Sequence, residues 1–322
     1  MLPLAVLLAA APPPDPARAL EDRMTRAVEA CERGVVAVVV SHRKYNDPPP
    51  EREGQLGRYD PHGGRGFGGF GRRPPGPEAP DPKNLADPQA AADNPFGSGL
   101  VLAPDLVLTA YHLVDGAAKV YVRAHGGGGS YADILAADAR CDLAVLRLLD
   151  PPDGAEPVRF ADVRLHPGPR REAPTVRRGM WVIAVGHPLA AGFADGSPSA
   201  SWGVLSNVRR RLPAAAPAGA DNRSRPLASY PTLLQTDARL TLGGSGGGLF
   251  NLDGELVGMT SSLAGVTGAE TAGGYAVPFD PTLRRAVDAL RQGREVEYGF
   301  LGVSLGPGVG FDVEFGPGAL VL

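Results

Sequence analysis

The sequence predicts an all-β protein: two six-stranded antiparallel β-barrels in succession, with one helix ahead of the first and another behind the second. Three observations lead there. The chain of 322 residues carries 44 Gly and 33 Pro against only 6% aromatics, a composition of many turns and short elements rather than long helices. Its apolar residues, 43% of the total, suffice for a substantial core and come in β-branched or alternating runs of strand length. Those runs fall into two successive groups of six, each enough to close one small barrel.

The leading helix is read from Leu20, Met24, Val28 and Cys31, which recur at helical spacing behind Asp15-Pro16 and predict an amphipathic segment over roughly residues 18–32. It runs into residues 34–41, a β-branched stretch continuous enough to be buried on both faces. Residues 45–94 are dense in Pro, Gly, Arg and Asp, with little that could pack, and read as a long disordered loop. Strands resume at residues 98–102 and 106–109, joined by the turn Ala103-Pro104-Asp105, and continue at 119–124, 131–136 and 143–148. The second group comprises residues 180–185, 201–208 and 232–235, a hairpin turning at Asp253-Gly254, and residues 274–279. Asp280-Pro281 then starts a helix with Leu283, Ala286, Val287 and Leu290 on one face and Gly293 as its stop, expected to pack on the second barrel. A charged link, residues 294–298, leads into a strand-rich stretch from Gly299 too short to hold a core of its own.

Several function classes are set aside at this level. A formal net charge of −3 gives no global field to recruit nucleic acid, and Arg209-Arg210-Arg211 reads as a solvated loop. No His, Cys and carboxylate cluster has metal-ligand spacing, so neither metal nor cofactor is expected. Residues 2–11 form a short apolar run followed by Pro-rich sequence and the small-x-small triplet Ala17-Arg18-Ala19. That pattern fits a cleavable export signal over residues 1–19, or a retained anchor given an n-region without Lys or Arg; no other segment reaches membrane-spanning length. Cys31 and Cys141 could pair in an oxidising compartment, but two buried free thiols are the simpler expectation.

Three sites carry chemistry. Gly243-Gly-Ser-Gly-Gly-Gly248 sets Ser245 in a tight loop whose backbone can curl until amides converge, with the N–H groups of Gly243 and Ser245 as oxyanion donors. A Gly/Ser run alone would be a linker. Here Leu234-Gln-Thr-Asp-Ala238 precedes it and a core hairpin follows without spacer, which a linker would not do. His112 lies just past the strand at residues 106–109, and Asp142 opens the apolar strand at 143–148, where an acid is costly without a partner. Taken singly, His112 reads as a structural histidine and Asp142 as a strand-edge turn residue. Together, in the order His, Asp, Ser, they supply the base, the anion that orients it and the nucleophile that peptide hydrolysis requires.

At these residues the chain resembles the trypsin-like proteases of the high-temperature-requirement (HtrA, Deg) type. Thr109-Ala-Tyr-His-Leu-Val114, Asp142-Leu-Ala-Val-Leu146 and Gln235-Thr-Asp-Ala with Gly244-Ser-Gly-Gly are similar to that family's histidine, aspartate and serine motifs. The likeness extends through Ala184-Val-Gly-His-Pro188, Gly254-Glu-Leu-Val-Gly258 and Gly274-Tyr-Ala-Val-Pro278. It implies the chymotrypsin-like fold over residues 20–293, a cleft site between the barrels, and a serine endopeptidase acting on unfolded protein in the cell envelope, assembled from trimers. It also implies a C-terminal PDZ domain, of which residues 294–322 would be the linker and start; Tyr298-Gly-Phe-Leu-Gly-Val303 resembles its carboxylate-binding loop. Two positions depart from the family pattern, Gly244 for Asn and Gly248 for Pro, and both add backbone freedom. His187 stands where a smaller polar residue is common and reads as structural. The pocket for the residue before the scissile bond is expected around Thr260, Ser261, Ser262 and Tyr275; with no acid at its base, it suits small aliphatic side chains. The competing reading is a catalytically silent chaperone or scaffold on the same fold.

Overall fold

The computed structural model describes residues 15–42, 85–86, 94–167, 172–187, 196–210, 232–240, 243–261 and 274–298. Residues 1–14, most of 45–94, Ser262 and the stretch from Gly299 to the end, and the expectations that fall on them, lie outside the described residues.

The two barrels are present. Strands β1 (Val35–Ser41), β2 (Phe96–Ala103), β3 (Leu106–Ala110), β4 (Lys119–Arg123), β5 (Gly129–Asp138) and β6 (Leu143–Leu148) close in the order β1-β2-β3-β6-β5-β4. The second barrel runs β11 (Gly248–Phe250), β8 (Trp181–Gly186), β9 (Ser199–Arg210), β10 (Leu233–Thr236), β13 (Gly274–Pro278) and β12 (Glu255–Ser261), closed by β11 pairing with β12. Two residues, β7 (Arg159–Phe160), add a parallel edge to β12; a pair so short has no periodicity to read from sequence.

The continuous apolar run of β1 is explained by its position. Val36, Val38 and Val40 point into the first barrel beside Val101, Val107, Val122 and Leu146. Val35 belongs with Leu100, Leu108 and Val145 to the larger core that also takes in Ile183, Leu205, Phe250 and Val277 of the second barrel. Ala37 and Val39 meet Tyr121 and Leu85. Within residues 45–94, read as holding little that could pack, Leu85 is an exception: its side chain is fully buried, and Ala86 O accepts from the Arg123 guanidinium at 2.6 Å.

Helix α1 (Pro16–Cys31) starts two residues earlier than its periodicity suggests, because Pro16 occupies the first position and the Asp15 side chain accepts the Ala17 N–H at 3.0 Å. Ala17-Arg18-Ala19 is therefore its first turn. It lies over the β11–β12 turn, where Gly254 at φ 69° brings Ala30 and the Ala27 carbonyl within 3.1 Å of a would-be Cβ, and Arg23 pairs with Asp253 at 2.8 Å. Beside it, β8 and β9 expose Trp181 and Trp202, ring centroids 5.2 Å apart, over a groove lined by Leu20, Met24 and Val28.

The closing helix, Pro281–Arg291 (here α3, α2 being the single turn Tyr111–Val114), is capped by Asp280 accepting the Leu283 N–H at 2.9 Å. Its partner corrects the expectation: the buried face, Leu283, Ala286, Val287 and Leu290, turns mainly to β5 and β6 of the first barrel. After it, the Tyr298 hydroxyl bonds the Asp138 carboxylate, lies 3.0 Å from Cys141 Sγ, and its ring sits under Arg140 at 4.1 Å. Both cysteines are free and buried; burial pushes the Cys141 thiol up to about 11 and Cys31 to about 12.

Candidate active site

β3 gives way at Ala110 to α2, and its antiparallel pairing with β6 sets Ala110 opposite Leu143. A residue just past β3 thus meets one just before β6, which makes neighbours of two residues 30 apart in sequence. The first N–H groups of a helical turn have no partner within it. Here Asp142 supplies the acceptors: Tyr111 N–H donates to its carbonyl at 3.0 Å and His112 N–H to Oδ1 at 2.8 Å. The remaining oxygen, Oδ2, lies 2.7 Å from His112 Nδ1.

Asp142 is fully enclosed and sits at φ 56°, alone among the described non-glycine residues in the left-handed region. A short polar side chain tolerates that conformation, and the carboxylate reaches the Nδ1 edge of the ring. A carboxylate taken out of water needs such donors. The imidazole, 40% exposed, is engaged through Nδ1, so Nε2 is the nitrogen left for a reacting group. Burial alone would lower its pKa; the hydrogen bond and charge of Asp142 outweigh burial and raise it above the ordinary 6.5.

Ser245 is mostly buried in the loop between β10 and β11. That loop of the second barrel rests on the first: Ser98 of β2 donates its N–H to Ser245 O at 2.8 Å and its hydroxyl to Gly243 O at 2.6 Å. Ser98 Oγ in turn accepts His187 N–H at 2.9 Å, and its carbonyl accepts Thr109 Oγ1 at 2.7 Å. At Gly97, the Leu113 side chain and Ser245 O both come within 3.1 Å of where a Cβ would stand, so the neighbour of His112 and the serine main chain converge on one glycine. On its other side the loop meets β12, with Gly246 N–H donating to Thr260 O at 2.9 Å and Thr260 N–H to Gly247 O at 2.8 Å. Gly246, at φ 83°, has Ser98 O 2.1 Å from a would-be Cβ, so no other residue fits there. Gly248, by contrast, makes room for a large ring: Phe250 Cε2 stands 2.2 Å from its would-be Cβ.

Of the expected pocket residues, Ser261 pairs with Tyr275 across β12 and β13, and both are buried. Thr260 is also buried, its hydroxyl turned into the serine loop, where it donates to Gly244 O at 2.6 Å. Sequence reasoning missed Ser98; the available signal was a serine between two glycines at the head of an apolar strand. His187 is fully buried and contributes its main chain to the loop's support.

Two antiparallel barrels, an acid–imidazole pair at the end of β3 and a glycine-bound serine loop before β11 define a trypsin-like peptidase domain. The profile of that domain matches residues 97–259, and the chain belongs to this family. Among known proteins it is similar to a "Probable periplasmic serine endoprotease DegP-like" of Marinomonas sp. (strain MWYL1), 31% identical over 235 residues, which is 73% of this chain and 42% of that one. A protein of the same name from Rickettsia prowazekii (strain Madrid E) is 29% identical over 66% of this chain and 36% of its own. The chain thus spans less than half the length of these relatives. The HtrA-type protease AlgW, solved with a tripeptide, has the same fold, with a TM-score of 0.56 at 20% identity over 88% of this chain and 68% of that one.

Proposed function

We propose that this chain is a serine endopeptidase of HtrA type that cleaves unfolded polypeptide in the cell envelope. Ser245 Oγ attacks the scissile carbonyl, His112 takes its proton through Nε2 and returns it to the leaving amine, and Asp142 holds the ring and stabilises the imidazolium. The N–H groups of Gly243 and Ser245 receive the oxyanion. The observation that carries this reading is the 2.7 Å bond from His112 Nδ1 to a carboxylate wholly withdrawn from water. A structural histidine would need no buried acid behind it.

Small aliphatic residues are the proposed preference before the cut. The residues proposed to line the receiving pocket, Thr260, Ser261, Ser262 and Tyr275, carry no charge. Export is supported by the apolar run at residues 2–11 and by relatives named as periplasmic. A trimer-based assembly, suggested by resemblance, is supported by the exposed Trp202 and Trp181 beside α1, a patch suited to a protein surface.

The test is hydrolysis of reduced casein by the purified chain beside Ser245→Ala, with a serine-directed covalent inhibitor as a third arm. The expected result is cleavage by the wild type, a loss on the order of a millionfold in the variant, and labelling of Ser245. A chain that neither cleaves nor takes up the inhibitor would point instead to the silent chaperone.

A further inference from the structure

The proposed oxyanion donors belong to a loop in which five of the residues 243–248 are glycine. Glycine places almost no steric limit on its own dihedrals, so such a loop needs restraint from outside. At Gly244 one such restraint is a side-chain hydroxyl from β12. Gly244 O accepts Thr260 Oγ1 at 2.6 Å and Gly247 N–H at 3.1 Å.

The consequence follows from peptide geometry. The carbonyl of Gly244 and the N–H of Ser245 are the two ends of one planar trans unit and point in opposite directions. Holding the carbonyl against β12 therefore turns the Ser245 N–H away from β12. Thr260 is a firm anchor, since its own N–H and carbonyl are both bonded across to Gly247 and Gly246 at 2.8 and 2.9 Å and its side chain is buried. If the Gly244–Ser245 peptide rotated, the hydroxyl could not follow it and would stand in the interior without that acceptor.

We infer that Thr260 is a positioning residue for peptide hydrolysis: it fixes the peptide whose N–H meets the developing oxyanion, supplying the restraint that glycine at position 244 cannot. The inference rests on Ser245 being the nucleophile, as proposed above. It gives Thr260 a role different from lining the substrate pocket, because an oxyanion donor acts on the transition state and a pocket residue acts on binding.

The experiment compares Thr260→Val, Thr260→Ala and Thr260→Ser with the wild type and Ser245→Ala. It measures steady-state cleavage of fluorescein-labelled reduced casein, affinity for a peptide boronate ending in a valine analogue, and thermal unfolding. Thr260→Val is expected to lower kcat about 10- to 100-fold with KM within about twofold, less than the full loss of one donor. Boronate affinity falls by a similar factor, and Thr260→Ser recovers most of both. If Thr260→Val does not fold, the Thr260→Ala and Thr260→Ser pair makes the same comparison. Wild-type kcat in the hydroxyl-free variants, a change confined to KM, or a Thr260→Ser as impaired as Thr260→Val would each overturn the inference while leaving the protease intact. A wild type inert towards casein and boronate alike would overturn the protease reading and this inference together.

Discussion

Asp142 concentrates three demands on one residue: it terminates the turn before β6, satisfies the first N–H groups of α2, and holds the imidazole. Asparagine meets the first two, because it tolerates a positive φ and keeps an acceptor oxygen. Asp142→Asn should therefore fold with an unchanged circular dichroism spectrum yet lose kcat by roughly ten-thousandfold, as removing the anion behind a triad histidine does. The pH profile separates the roles further. In the proposed mechanism His112 acts as a neutral base, so activity should rise with pH through the imidazole pKa, which Asp142 raises above 6.5. The acid limb of kcat/KM should thus have its midpoint above 6.5 in the wild type and move to lower pH in Asp142→Asn, where the charge is gone and burial remains. Gly246 makes an opposite kind of demand, for no side chain at all. Gly246→Ala places a methyl 2.1 Å from Ser98 O in a left-handed conformation, and should cost more than the roughly 1–3 kcal/mol of the backbone strain alone and abolish casein cleavage.

At the scale of elements, the runs of β-branched residues marked the strands because barrel strands need them, and β1 announced its two-sided burial by having no polar alternation. What the sequence left open was partnership. The face of α3 was legible from Leu283, Ala286, Val287 and Leu290, but a helical stripe carries no label for the surface it covers, and it turned to β5 and β6 of the other barrel. Leu85 was hidden for a related reason: one leucine among prolines and glycines has no period, and only the pocket formed by Ala37, Val39 and Tyr121 gives it a place. Leu85→Ala should accordingly destabilise by about 2–5 kcal/mol, as buried leucines do, read as a lower urea midpoint at unchanged slope. An unchanged midpoint would mean that this contact adds nothing in solution. Asp280→Ala, which removes the cap of α3, should cost about 1 kcal/mol in the same assay.

For the molecule as a whole, the order His112, Asp142, Ser245 was legible because each residue stands beside an apolar strand that fixes it on a barrel. The hydroxyls of Ser98 and Thr260 were not, since their value lies in where folding sets them against the serine loop: Ser98 and Gly243 are separated by 145 positions and meet at 2.6 Å, and Thr260 reaches Gly244 O only through the placing of β12 beside that loop. Sequence lists the groups that react more readily than the groups that hold them still. Tyr298 belongs to the second kind. It ties the end of the domain to Asp138, Arg140 and Cys141, the turn that leads into Asp142. Tyr298→Phe removes the hydrogen bond that lowers the Cys141 thiol pKa against the burial that raises it, so Cys141 should become less reactive towards a maleimide, measured by mass spectrometry, with no change in fold.

The two indoles on the outer face have a use of their own. The chain contains two tryptophans, and both are in this pair, Trp202 being 61% exposed. Intrinsic emission excited at the red edge of the spectrum is therefore a gauge of a single square of surface beside α1. Anything that settles there and displaces water should shift that light to the blue, a substrate bound at Ser245 should leave its colour alone, and unfolding should part the rings and redden it.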